Sequence, residues 1–213
     1  MNLLSPKIEE YVLEHTQPEN KVLRKLTLET YAKVMEPRML SGNIQGRALS
    51  MFSHMIKPTN ILEIGTFTGY SAICLAEGLC EGGKLYTIDI NEALGTMVRK
   101  YFAEAGITDK VEFLTGDATK IIPAMDIKFN LVFIDADKRN YSNYYDLVFD
   151  KVNKGGFIIA DNVLWSGKVT EDPSIQDKDT AALVAFSKKV HNDPRVQNYL
   201  LPIRDGLMII RKI

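Results

Sequence analysis

The sequence predicts an α/β fold: a mostly parallel sheet of seven strands with helices on both faces, helices before it and an antiparallel hairpin after it. Three observations predict this. From Asn60 onward short apolar runs alternate with amphipathic stretches. Before that point no strand pattern appears. At the far end, two apolar runs flank Arg204-Asp205-Gly206, a good hairpin turn.

From Ser5 to about Lys57 apolar residues fall at helical spacing, as in Ile8, Val12 and Leu13, then Leu23, Leu26, Leu28, Tyr31 and Val34. The first five strands are expected at Ile61–Ile64, Lys84–Ile88, Val111–Leu114, Asn130–Ile134 and Phe157–Ala160. Helices are expected between them at about 70–81, 91–106, 118–125 and 140–152. A polar stretch, Glu171 to Asp179, precedes a helix running to about Asn192. The strands Val196–Pro202 and Leu207–Arg211 follow.

With 213 residues the chain suits one domain over 1–213, in which 1–59 is the helical segment and 60–213 the ligand-binding core. Hydrophobic residues are 46% and charged residues 25%, which excludes disordered, collagenous and coiled-coil classes. Twenty-six basic residues against 27 acidic ones leave a net charge of −1, which gives no support to a polyanion partner. Cys74 and Cys80, read as lying on one helix, lack CxxC spacing and suit a reducing cytosol. The N-terminus turns acidic before any apolar signal region, and the longest uncharged apolar stretches, such as Ala181 to Phe186, fall far short of a membrane span. The expectation is a soluble cytoplasmic protein with no membrane partner.

The first strand runs into Glu63-Ile64-Gly65-Thr66-Phe67-Thr68-Gly69-Tyr70-Ser71. Its G-x-x-x-G spacing permits close backbone approach to a ligand without the G-x-G-x-x-G that wraps a pyrophosphate. Asp89 ends the second strand, twenty residues beyond Gly69, where a carboxylate can accept from both hydroxyls of a ribose. Gly116-Asp117-Ala118 ends the third. Each piece alone also reads as a turn or a helix cap, but in this order they suit an adenosine with a small polar tail.

Strand four ends in Asp135-Ala136-Asp137-Lys138 and strand five in Asp161-Asn162. As neighbours they would bring Asp135, Asp161 and Asn162 to one rim, an oxygen-only set suited to Mg²⁺, or to Mn²⁺ or Ca²⁺, rather than zinc. His15, His54 and His191 lack metal-motif spacing, and no G-x-S-x-G is present. Helix capping is the competing reading of the acids. Lys138, three residues from Asp135, would be held as a neutral amine by a nearby cation and could then act as a base.

Glu63–Ser71, Asp135–Tyr141 and Asp161-Asn-Val-Leu-Trp-Ser-Gly167 together resemble the metal-dependent class I O-methyltransferases, the caffeoyl-CoA and catechol O-methyltransferase family. The resemblance extends from about Met39 to the C-terminus and implies a Rossmann-like methyltransferase fold. It implies that Ser41, Glu63, Gly65, Thr66, Ser71, Asp89, Ala118 and Asp137 contact S-adenosylmethionine. The segment Met39-Leu40-Ser41-Gly42, with Gln45-Gly46, resembles the one lying over the cofactor's methionine end. By the same resemblance Asp135, Asp161 and Asn162 hold the metal, and Lys138 is the general base. Asp135, Trp165 and Ser166 face the acceptor; plant caffeoyl-CoA enzymes carry Asn where this chain has Ser166. The implied acceptor is a small phenol with two adjacent hydroxyls. Some bacterial relatives methylate a hydroxylated uridine of transfer RNA, which is the alternative acceptor. The apolar positions before Asn60, and the dimers common among resembling bacterial enzymes, predict a homodimer.

Overall fold

Apolar runs too short to be buried helices pair into one sheet, in the order β3-β2-β1-β4-β5-β7-β6. The structure is a computed structural model that describes residues 5–213. Helices α1 (Pro6–Glu14), α2 (Lys21–Lys33) and α3 (Gly42–Ile56) precede strand β1 (Asn60–Ile64). Then come α4 (Tyr70–Ala76), β2 (Lys84–Asp89), α5 (Gly95–Glu104), β3 (Val111–Thr115), α6 (Ala118–Ala124), β4 (Phe129–Ile134), α7 (Tyr141–Phe149) and β5 (Val152–Ala160). Helix α8 (Lys178–His191) and the strands β6 (Val196–Leu201) and β7 (Leu207–Lys212) complete the chain. Strands β1 to β5 are parallel, and β7 runs antiparallel to both β5 and β6.

The two-residue period of the strands sorts the core onto two faces. Leu62, Ile64, Val132, Ile134 and Ile158 pack against Ile122, Tyr145, Leu183 and Phe186. On the other face Ile61, Leu131, Phe133 and Ile159 pack against Leu23, Leu26, Leu49, Leu75 and Val98. Helices therefore cover both sides, as the alternation predicts. Helix α1 is the exception in quality: it buries no residue, and Ile8, Tyr11 and Leu13 remain exposed.

Several boundaries differ from the sequence reading. The helix expected over 70–81 ends at Ala76, so Cys74 and Cys80 do not share it. Gly78 follows the stop, and a Cβ there would lie 2.2 Å from the Ser53 backbone, so α3 passes close behind the helix end. Cys80 instead donates its thiol to the Lys57 carbonyl. Helix α7 ends at Phe149 and β5 begins at Val152, earlier than Gly155-Gly156 suggest. The strand absorbs those glycines as an irregularity in its register with β4, with Gly155 at φ 80°.

Strand order reverses between β1 and β4, since the chain winds outward to β2 and β3 before returning. Ligands of open α/β sheets gather at the carboxyl ends beside such a reversal. Pairing continues past the strands there: Gly65 N–H donates to Ile88, Gly116 to Asp89, Asp135 to Ile64 and Asp161 to Ile134, all at 2.8–2.9 Å. These bonds fix four loops as one rim.

Candidate active site

Gly65 holds the rim's centre. Its φ is +103°, and a Cβ would stand 1.9 Å from the Asp135 carbonyl oxygen. The close approach that the glycine permits is thus to the protein's own β4 end. Gly69, at φ +94° before α4, lets the Phe102 ring pack where a Cβ would be 2.8 Å away. The Phe67 N–H donates to Asp89 Oδ2 at 2.6 Å and the Asn91 N–H to Oδ1 at 2.8 Å, which ties the glycine loop to the end of β2. Each carboxylate oxygen of Asp89 retains a lone pair for a ligand. Asp117 is the cap of α6, accepting from the Thr119 N–H and hydroxyl, which hold its carboxyl below the usual range.

Glu63 lies wholly buried below the loop, accepting from the Thr87 hydroxyl, which also meets Thr66 Oγ1 at 2.6 Å. Burial pushes its carboxyl up to about 8, against the opposing pull of the Ser71 and Thr87 hydroxyls. Glu63 is the one sequence-predicted site residue that does not line the cleft. Ser41, Gly65, Thr66, Ser71, Asp89, Ala118, Asp135, Asp137, Lys138, Asp161, Asn162, Trp165 and Ser166 all line one cleft of about 2130 Å³.

At the other end two carboxylates face each other across β4 and β5. Burial pushes Asp161 up to about 7, and the Asp135 charge adds to the rise. Asp161 Oδ2 accepts from Gln45 Nε2 at 2.6 Å and its Oδ1 from the Asn162 N–H at 2.7 Å. Neither acid caps a helix. Lys138 is 9% exposed, and its Nζ donates to Asp135 Oδ1 at 3.0 Å and to the Tyr141 hydroxyl at 2.7 Å. Tyr141 donates in turn to the Asp161 carbonyl at 2.9 Å. Burial, reinforced by Asp135, drives the Tyr141 phenol well above its ordinary range, so it stays protonated. Asp137, exposed on the rim, accepts from Asn140 Nδ2 and the Tyr144 hydroxyl.

The wall beside this pair is strained. Asn162, Trp165 and Ser166 have φ of 57°, 48° and 54°, left-handed values that cost a side-chain-bearing residue about 1–3 kcal/mol each. Asp205 fastens this wall at two points: its Oδ1 accepts from the Ser166 N–H at 2.5 Å and its carbonyl from the Leu164 N–H at 2.9 Å. Lys138 Nζ lies 5.8 Å from the Trp165 ring centroid.

Sequence reasoning left Gln45, Tyr141, Tyr144 and Asp205 without these roles. Tyr141 was detectable, three residues from Lys138 at the spacing that shares a helix face. Gln45 meets Asp161 across 116 residues of chain, and no local pattern announces that.

A seven-stranded sheet with this order and reversal is the fold of class I S-adenosylmethionine-dependent methyltransferases, and the match to known proteins gives the family. The O-methyltransferase family profile matches residues 13–213, and the chain belongs to that family. It is similar to caffeoyl-CoA O-methyltransferase of Eucalyptus gunnii, 33% identical over 99% of this chain and 89% of the relative. It is equally similar to tricin synthase 2 of Oryza sativa subsp. japonica, 33% identical over 99% of this chain and 76% of the relative. Among solved structures it resembles the Bacillus cereus O-methyltransferase in complex with SAH, with 29% identity, TM-score 0.90 and 97% of each chain covered. It also resembles TomG of Streptomyces achromogenes, solved with SAM, with 27% identity, TM-score 0.90 and 97% and 96% coverage. Among the described residues no helix is long and apolar enough to cross a membrane.

Proposed function

We propose that the protein transfers the methyl group of S-adenosylmethionine to one hydroxyl of a vicinal diol on a small phenolic acceptor, assisted by a divalent cation. The observation that carries this is the half-buried Asp135 facing the buried Asp161, beside Asn162 and Lys138. The two carboxylates and the Asn162 amide offer oxygen donors, and the rise that burial and the Asp135 charge impose on Asp161 is what a bound Mg²⁺ would relieve. Mn²⁺ and Ca²⁺ fit the same donors. A cation held by Asp135, Asp161 and Asn162 would supply Lewis-acid polarisation of an acceptor hydroxyl.

The chain's own groups do the rest. Lys138 Nζ, fixed by Asp135 and Tyr141, takes the hydroxyl proton when it is the neutral amine, and the freed oxygen attacks the sulfonium methyl in line, breaking the methyl–sulfur bond and leaving S-adenosylhomocysteine. Trp165 and Ser166 wall the acceptor. Asp89 receives the ribose hydroxyls, while Ser41, Gly65, Thr66, Ser71, Ala118 and Asp137 surround the rest of the methyl donor and Glu63 supports the loop from beneath. The names of the caffeoyl-CoA and tricin relatives support a phenolic acceptor. The exposed Ile8, Tyr11 and Leu13 of α1 support a homodimer, and the free thiols Cys74 and Cys80 a reducing cytoplasm.

Caffeate and its single-hydroxyl analogues, offered with labelled S-adenosylmethionine, test the reading. The diol should turn over at least ~10²-fold faster, with activity lost in chelator and restored by Mg²⁺. Equal rates for diol and monophenol, or full turnover in excess chelator, would refute it.

A further inference from the structure

Six cationic side chains line the cleft, and five are neutralised by carboxylates: Lys33 by Glu29, Arg38 by Glu36, Lys138 by Asp135, Arg139 by Asp179 and Lys168 by Asp177. Arg204 is the sixth, and among the described residues it has no acidic partner. Among the described residues only one hydrogen bond engages its guanidinium, a 3.3 Å contact from Nη1 to the Leu40 carbonyl. A guanidinium carries five N–H donors, so most of this one's capacity is unspent.

The backbone beneath it is also unusual. Arg204 sits at φ 49°, in the left-handed region that glycine occupies freely and arginine does not. An uncommon conformation kept at a cleft wall points to a use for that side chain. The turn that carries it is fastened to the acceptor side: Asp205 holds Ser166, and the Gly206 carbonyl accepts from the Val163 N–H. From there the guanidinium reaches across to Leu40, next to Ser41. Arg204 therefore spans the mouth between the strained Asn162–Ser166 wall and the segment before α3.

We propose that Arg204 selects the acceptor by its charge, binding an anionic oxygen group, a carboxylate or a phosphate, carried by the diol. The planar fork of arginine pairs with either group through two parallel hydrogen bonds. This inference rests on the diol reading above and narrows it to acidic acceptors.

Caffeate, methyl caffeate and caffeoyl-CoA share one diol and differ in their anion, so they separate the possibilities. Each is assayed with the wild-type protein, with Arg204→Gly, which suits the left-handed position, and with Arg204→Gln, which keeps a donor for Leu40 but no charge. Both variants should raise KM for the anionic acceptor about tenfold or more, leaving kcat and every constant for methyl caffeate nearly unchanged. A loss confined to caffeate identifies a carboxylate; a loss confined to caffeoyl-CoA identifies a phosphate. Equal losses on all three acceptors would make Arg204 a clamp for the Leu40 segment and overturn the proposal, as would no loss on any. Wild-type turnover of none of the three overturns the diol reading itself, whereas turnover of methyl caffeate without discrimination by charge overturns the role of Arg204 alone.

Discussion

Around Gly65 and Asp89 the cleft is built from contacts between neighbouring strand ends, whereas around Asp161 it is built from side chains that arrive from distant parts of the chain. The Phe67 N–H reaches Asp89 across the β1–β2 junction, and Gly65 admits the Asp135 carbonyl from the adjoining strand. Asp161, by contrast, takes a hydrogen bond from Gln45 on α3, and the Ser166 wall hangs on Asp205 in the β6–β7 turn. The first half follows from sheet geometry and a few glycines. The second follows from tertiary packing, and it can be altered without disturbing the first.

Variants in one half should therefore spare the other. The largest effect belongs to Lys138→Ala, which should lower kcat by ~10²–10⁴-fold while calorimetry finds S-adenosylmethionine affinity nearly intact. Lost cofactor binding in that variant would join the two halves and break the comparison. Gly65→Ala should do the reverse, driving a methyl group toward the Asp135 carbonyl, destabilising the fold by about 2–3 kcal/mol and removing cofactor binding. A Gly65→Ala protein with wild-type melting and affinity would show that the strand ends are looser than the 1.9 Å approach implies.

Tyr141→Phe is milder. Lys138 Nζ keeps Asp135 and loses its 2.7 Å partner, so kcat should fall about tenfold, with the Asp161 carbonyl left unpaired at a cost of about 1–3 kcal/mol. An unchanged pH–rate profile in Tyr141→Phe would remove the phenol from the positioning of Lys138.

The smallest effect on activity belongs to Glu63 in the cofactor half, where the expected change is a pH dependence of stability. Glu63 binds its proton more tightly folded, at about 8, than at its ordinary 4.5, so the stabilisation it contributes is complete below about 4.5 and is lost as pH rises through 8. Glu63→Gln cannot ionise, and melting curves of ligand-free protein should diverge in its favour between those limits. Parallel curves would mean that the carboxylate is solvated after all.

The same contrast explains what was legible in the sequence. Five parallel strands, the closing hairpin and the acids at the strand ends follow from two-residue periodicity and from where apolar runs stop. Strand ends carry the cleft, so residues read there reach it with little further information. Asn162, Trp165 and Ser166 are legible as residues but not as strained ones, because the wall they form is fastened at Leu164 and Ser166 by Asp205, some forty positions later. Helix α4 is shorter than its apolar pattern predicts, and the close passage of α3 against Gly78 just beyond its end leaves no mark on that pattern. Glu63 is legible from its place in the motif, and strand alternation puts it on the same face as Ile61, wholly buried.

Strand β7 lies between β5 and β6, although it is the last of the three to be synthesised. Until Leu207–Lys212 leaves the ribosome, the outer edge of β5, Phe157 to Ala160, is an apolar template with open hydrogen-bonding groups. The nascent chain thus carries a finished cofactor rim and an unguarded sheet edge at the same time. Chaperone capture should concentrate on that interval, and a translational pause placed between β6 and β7 should raise aggregation more than one placed between β3 and β4.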